Sequence, residues 1–456
     1  MNITILGAGK VGSYLTRELS LQDHDILVID QDKEVLNKLL EQNDVMAMVG
    51  DGTDIDVLRE ANVDNCDIFI ALTRDDDSNI ISAALARSLG AHDIILRLRD
   101  AKYVNNLSNI KELTSSNLII NPEYLAAKEI QRSIKYSHAR NVQSFLEDRA
   151  MMLEITISKN SRLAGLRLSE ADSYLSQFDV LIGIVNDHGA INIPKGNFIL
   201  DVGQKIYIMG TKEDVDKFYK AEIPDNIRMK NILIIGASSI SYHLTKLLLE
   251  RHFEVTAIEI DRKKAIDFQE IFADAIVINA DGSDPDILEE VRIESFDAVV
   301  SLTGIDEENI LIALIAQRLG IEKIISKVNR TNLLKITGIL DIDATFTPKS
   351  VASNYINRII RSKVDSKDIS TLNNLFKLED DQVEVLEFEV SENSLLFNRR
   401  LRDLRIKPDT LVAIIEHRSR GGNIEVATGN SVIEIGDRVL VITQSKNMSQ
   451  VDDILE

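Results

Sequence analysis

The segment Gly7-Ala8-Gly9-Lys10-Val11-Gly12 has the residue types and spacing to hold a diphosphate. It follows a strand-like run, Asn2 to Leu6, and opens a helical one. In that setting the glycines serve three ends in turn, which are a tight turn, close approach of backbone to phosphate oxygens, and close packing of helix on strand. Bare N–H groups at the helix start add a partial positive charge. Asp30 ends the next apolar run, 18 residues beyond Gly12, where a carboxylate accepts from ribose hydroxyls. It would repel the 2′-phosphate of NADP, so the pattern favours NAD or NADH, or an adenine nucleotide such as ATP or ADP. Asp51 and Thr73 fall at or just after further strand ends, on the side where open parallel sheets take ligands. Either can equally be a cap or turn residue. Lys10, Arg74 and Arg97 are bases near this edge, although solvation at the surface explains any single base as well.

These residues need an element order that brings them together. Short Val/Ile/Leu runs at Asn2 to Leu6, Asp25 to Ile29, Val45 to Val49, Ile68 to Leu72, Ile94 to Leu98 and Leu118 to Ile120 alternate with amphipathic stretches such as Val11 to Leu21 and Asp77 to Leu89. Near-continuous apolar strands separated by helices predict an α/β fold, a doubly wound parallel sheet of Rossmann type. The residues from Glu123 to Asp148 read as a helical connector carrying Leu125, Ile130, Ile134 and Phe145. After it, strands near Met151 to Ile157 and Ile206 to Met209, with helices near Arg167 to Leu175 and Glu213 to Tyr219, predict a small α+β module.

The whole pattern occurs twice. Asn2 to Ala8 recurs as Asn231 to Ala237, 229 positions on, and Asp30 maps to Glu259. Gly50-Asp51-Gly52-Thr53 recurs as Ala280-Asp281-Gly282-Ser283, and Ala71-Leu72-Thr73 with Asn79 recurs as Ser301-Leu302-Thr303 with Asn309. The expected division is 1–121, a Rossmann-like domain; 122–149, a helical connector; and 150–222, an α+β domain. It continues with 229–348, 349–378 and 379–456 in the same order, and Glu222 to Asn226 joins the halves. The second turn departs from the first: Gly236-Ala237-Ser238-Ser239-Ile240-Ser241 keeps only the leading glycine. Ser238 puts a Cβ where backbone should meet phosphate, and Ser241 adds bulk where the helix packs on the strand. With Glu259, Asp281 and Thr303 still in register, a weakened, altered or purely structural second site is expected.

Composition narrows the rest. A net charge of −21, from 52 basic and 73 acidic residues, repels phosphate backbones and argues against nucleic acid as a partner. One cysteine, Cys66, excludes intramolecular disulfides and Cys-rich metal sites, and reads as a small core residue. No apolar run approaches the roughly 20 residues of a membrane helix, and the chain opens on a strand without a leader-like segment, so cytoplasmic residence is expected. An NAD-dependent oxidoreductase is the competing reading of such a fold, but it needs an acid or base at the nicotinamide. The seven histidines are scattered without a relay spacing, and no metal or serine-nucleophile motif occurs. No enzyme, and no catalytic or metal-ligating residue, is therefore expected.

The order Rossmann unit, connector, small α+β unit, then all three again resembles the tandem RCK family, TrkA-N plus TrkA-C, of regulatory subunits of bacterial Trk potassium-uptake systems. The resemblance rests on Gly7-x-Gly9-x-x-Gly12, Asp30, Gly50-Asp51-Gly52, Ala71-Leu72-Thr73 with Asn79, and the paired Leu163-Ala164-Gly165-Leu166 and Leu395-Leu396-Phe397-Asn398. It covers essentially the full length. It implies a peripheral subunit on the cytoplasmic face of the membrane that binds NAD(H) or ATP/ADP and gates a potassium transporter of the TrkH/KtrB type. It also implies a homo-oligomer, a dimer of dimers closing a tetrameric ring, with the connector helices supplying contacts between Rossmann units.

Overall fold

Alternating β-branched runs and amphipathic stretches leave each sheet apolar on both faces, and helices must cover both. A computed structural model of the chain describes residues 1–22, 24–104, 106–116, 118–222, 229–330, 333, 344–364, 372–378, 382–445, 448 and 450–456. The chain forms two compact units, one of residues 1–134 with 229–357 and one of 135–228 with 358–456.

The first unit holds both parallel sheets. Strands β1 (Asn2–Leu6), β2 (Asp25–Asp30), β3 (Met46–Val49), β4 (Ile68–Ala71), β5 (Asp93–Arg97) and β6 (Leu118–Ile120) lie in the order β3-β2-β1-β4-β5-β6. Every neighbouring pair is parallel. The order reverses between β1 and β4, which opens a crevice at the carboxyl ends of those strands. Asn231–Ile235, Glu254–Glu259, Ile276–Asn279, Ala298–Ser301, Lys323–Lys327 and Ala344–Phe346 repeat this order in the second sheet. Ile70, Ile94 and Leu96 in the first sheet and Ile234, Ala298 and Val300 in the second are fully buried, so each sheet has its own core.

The two sheets are tied by a crossing helix. Helix Pro122–Lys135 follows β6 yet places Ala126, Ala127, Ile130 and Ile134 in the core of the second sheet, against Leu244 and Leu248. The Gln131 amide donates to the Leu247 carbonyl at 2.8 Å. The matching helix Pro348–Val364 buries Ala352, Ile356 and Ile360, and the Lys349 ammonium lies 5.6 Å from the centre of the Tyr14 ring on the first helix. The apolar stripe of the first connector is thus filled within the chain.

The second unit contains two five-stranded antiparallel sheets. Strands Ala150–Thr156, Val180–Asp187 and Lys205–Thr211 form the centre of one, with helices Leu168–Leu175 and Lys212–Glu222. Val383–Glu389, Thr410–His417 and Arg438–Thr443 form the centre of the other. Phe145, Met152 and Tyr207 share one apolar core with Val383, Val385 and Leu440. Buried Arg438 is held by Glu416 at 2.6 Å and Glu387 at 3.4 Å.

The connectors depart from the expected 122–149 and 349–378 helices. Helix gives way after Lys135 to a strand, Ala139–Phe145, which pairs antiparallel with Ala150–Thr156. Phe145 therefore belongs to a sheet, and its ring packs edge-on against Phe376 at 4.6 Å. The hairpin reverses at Leu146, Glu147 and Asp148, all with φ between 50° and 71°, so the turn carries no glycine or proline to announce it. The second connector is helical to Val364 and a strand from Leu372 to Leu378. Residues 365–371, 379–381 at the start of the expected last domain, and the join from 223 to 226, lie outside the described residues. No helix among the described residues is long and apolar enough to cross a membrane.

Candidate functional site

Gly7 takes φ +99°, and its N–H donates to the Ile29 carbonyl at 2.8 Å. A side chain there would be strained and would press on the Thr73 backbone, so only glycine lets the chain turn from β1 into the helix. Gly12 packs so tightly that an added Cβ would lie 1.9 Å from the Gly7 carbonyl oxygen. Gly9 differs: nothing lies within 4 Å of the place its Cβ would occupy. The space in front of it is open to a ligand. Among the described residues the N–H groups of Gly9, Lys10 and Val11 meet no acceptor. They are the donors of the helix start, aimed into a cavity of about 870 Å³.

Asp30 closes one side of this cavity. One carboxylate oxygen accepts from the Ala8 N–H at 2.6 Å and the other from the Asp32 N–H at 2.9 Å. These bonds hold the carboxylate beside the turn, with lone pairs left for a ribose. Asp51 lines the cavity but is also a turn residue, accepting from the Thr53 N–H at 2.9 Å and hydroxyl at 2.7 Å. Those bonds hold its carboxyl below the usual range. Thr73 lines the cavity too, with its N–H and hydroxyl both given to the buried Asn79 at 2.9 and 2.7 Å. Asn79 then donates to the Arg97 carbonyl at 3.1 Å, joining the ends of β4 and β5. Asp51 and Thr73 are thus turn residues that also border the cavity.

All three expected bases, Lys10, Arg74 and Arg97, line the cavity. Arg97 is the most constrained, being 8% exposed. It donates to Glu123 at 3.1 Å, while its Nε has no partner among the described residues. Burial pulls the guanidinium below its ordinary range, and Glu123 offsets part of that pull. Neither Glu123 nor Arg99 was singled out by the sequence, yet both line the same cavity.

Residues from the other half, Ile240, Lys327, Asn329, Pro348 and Lys349, complete the wall. The repeat register held the signal for two of them: Lys327 and Asn329 stand 230 positions after Arg97 and Arg99. The crossing helices that turn the two sheets' ligand edges toward each other are not visible in that register.

The second turn is built differently. Gly236 keeps φ +97°, and the Ala237 N–H donates to Glu259 at 2.6 Å, as in the first half. Here Ser241, fully buried, donates its hydroxyl to the Gly236 carbonyl and accepts from the Ser238 N–H at 3.1 Å. A serine stands in place of Gly12, and Ser238 and Ser241 cap each other's N–H groups, while the N–H groups of Ser239 and Ile240 meet no acceptor among the described residues. Glu259 is 7% exposed, and its other oxygen takes the Asp261 N–H at 2.8 Å. Asp281 accepts from Ser283, and the Thr303 N–H donates to Asn309, as braces of their turns. Of the expected second-site residues, Ser239 borders a smaller cavity of about 410 Å³, shared with Arg74, Asp76 and His243. Among the described residues no group of acidic, histidine or cysteine side chains is arranged to hold a metal.

The TrkA-N domain family matches residues 3–122 and 232–348, and the TrkA-C domain family matches 152–222 and 385–456. A Trk system potassium uptake protein TrkA homolog of Archaeoglobus fulgidus is 29% identical over 454 residues, covering 100% of both chains. The Trk system potassium uptake protein TrkA of Haemophilus influenzae is 27% identical over 465 residues, covering 100% of this chain and 99% of that one. Among solved structures, the GsuK channel bound to NAD superposes with a TM-score of 0.64 at 18% identity, over 98% of this chain and 77% of that chain. At that identity the likeness is one of fold.

Proposed function

Since the chain belongs to the family of proteins with TrkA-N and TrkA-C domains, we propose that it is the nucleotide-sensing regulatory subunit of a potassium-uptake system and not an enzyme. Full-length relatives carry the Trk potassium-uptake name. The observation that carries the sensing role is the first turn, where the N–H groups of Gly9, Lys10 and Val11, without an acceptor among the described residues, face a cavity bordered by Asp30 and several bases. Such a turn takes the diphosphate of NAD, NADH, ATP or ADP, with Asp30 on the ribose. Gly7, Ala8, Gly12, Asp51, Thr73, Arg74 and Arg97 shape or border that site. The second turn, capped by its own serines, serves as structure.

Binding shifts a regulator only where its states differ in affinity. In this reading, occupancy of the first cavity repositions the crossing helices Pro122–Lys135 and Pro348–Val364, whose first residues border it. Their movement reaches a membrane partner of the TrkH/KtrB type at the cytoplasmic face through a tetrameric ring of copies.

Gly9→Val tests the mechanism without disturbing the fold, because its Cβ meets open space. In cells whose potassium uptake depends on this chain, the variant should accumulate normally while uptake loses its response to changes in cellular nucleotide. A normal response would contradict the reading.

A further inference from the structure

The cavity is bordered by matching positions from both halves. Arg97 and Glu123 come from the first half, and Lys327 and Lys349 from the second. In the first half this is an acid–base pair at 3.1 Å. In the second, a lysine starts the crossing helix where the first half has Glu123. The pair has therefore become two ammonium groups. Lys327 is 8% exposed and donates only to the Leu302 carbonyl, at 3.2 Å, among the described residues. Lys349 and Lys10 make no ion pair among those residues, although acidic side chains outnumber basic ones in the chain by 73 to 52.

Positive charge withdrawn from water without a counter-ion is costly. Buried Lys327 and half-buried Lys349, with exposed Lys10 beside the same phosphate-binding turn, define a place for an anion. Burial lowers the basicity of Lys327 and Lys349; Asp306 offsets part of this at both, while Lys10 lowers both further and Arg17 lowers Lys349 as well. Nearby, the Nε of buried Arg97 has no acceptor among the described residues. The turn at Gly9 to Val11 accounts for a diphosphate, and the lysines are left over.

We propose that Lys327 and Lys349 of the second half grip the terminal phosphate of a nucleoside di- or triphosphate seated on the first-half turn, so the cleft prefers ADP or ATP to a dinucleotide. A dinucleotide has its diphosphate esterified at both ends and offers less charge and no free terminal phosphate to meet them. The second half, whose own turn has lost two glycines and caps its Ser238 and Ser241 N–H groups, contributes to the first half's site. This deepens the proposed nucleotide-sensing role and rests on it.

Calorimetry of ATP, ADP and NAD on the full-length protein, Lys349→Gln, Lys327→Gln and Lys327→Arg tests the assignment. The native protein should bind ATP and ADP more tightly than NAD. Lys349→Gln should weaken ATP and ADP by roughly tenfold, the value of one charge-assisted contact, and leave NAD within about twofold. Lys327→Gln should act in the same direction, while Lys327→Arg, which keeps the charge and guards against a folding defect, should retain much of the affinity. Equal weakening of all three ligands, or no change in Lys349→Gln, would overturn the lysine assignment while leaving nucleotide sensing intact. A native protein that binds no nucleotide would overturn both.

Discussion

At the scale of single residues, identical backbone roles have been filled by chemically different side chains. Gly12 and Ser241 occupy equivalent positions, but the first leaves no room for a methyl group and the second hydrogen-bonds the carbonyl it would otherwise crowd. That difference was legible in the sequence, since loss of two glycines from the turn changes what the backbone can approach. The tie of Thr73 to Asn79 was not, because Asn79 is itself placed by the end of β5. Cys66, expected in the core, is 5% exposed, and burial pushes its thiol up to about 11. The thiolate is the reactive form, so alkylation of the native protein near neutral pH should be far slower than that of the urea-unfolded chain. Comparable rates in the two states would show that the core around Cys66 opens readily.

At the scale of elements, strands and helices of the first sheet followed from their hydrophobic period, with ends displaced by a residue or so. The connector did not. Ile130 and Ile134 keep helical spacing, but the strand that follows returns through Leu146, Glu147 and Asp148 at positive φ without a glycine, with Leu146 in the core, Glu147 on Arg438 and Asp148 on Lys212. Period alone also left open what the helix's apolar stripe faces. It faces the second sheet, where Ile130 is 1% exposed. Ile130→Ala should therefore destabilise the protein by about 2–5 kcal/mol, as expected for truncating a well-packed isoleucine. Urea unfolding followed by circular dichroism measures this, and a loss below about 1 kcal/mol would argue against the crossing arrangement.

At the scale of the molecule, a duplicated chain has a three-glycine turn in its first half and a turn with paired serine caps in its second. The repeat was readable from end to end, and so was the first turn with its acid. What the sequence left hidden is that the second half supplies part of the first half's cavity through Lys327, Asn329 and Lys349, because no local pattern records which way two sheets face. The account depends on the first turn holding an adenine nucleotide. Calorimetric titration of ATP, ADP, NAD and NADH into the full-length native protein and into Gly9→Val tests that most directly. The account predicts saturable binding of at least one of these by the native protein, at one site per chain, and at least about tenfold weaker binding by a folded Gly9→Val variant. Undiminished binding by that variant, or no binding by the native protein, would contradict it.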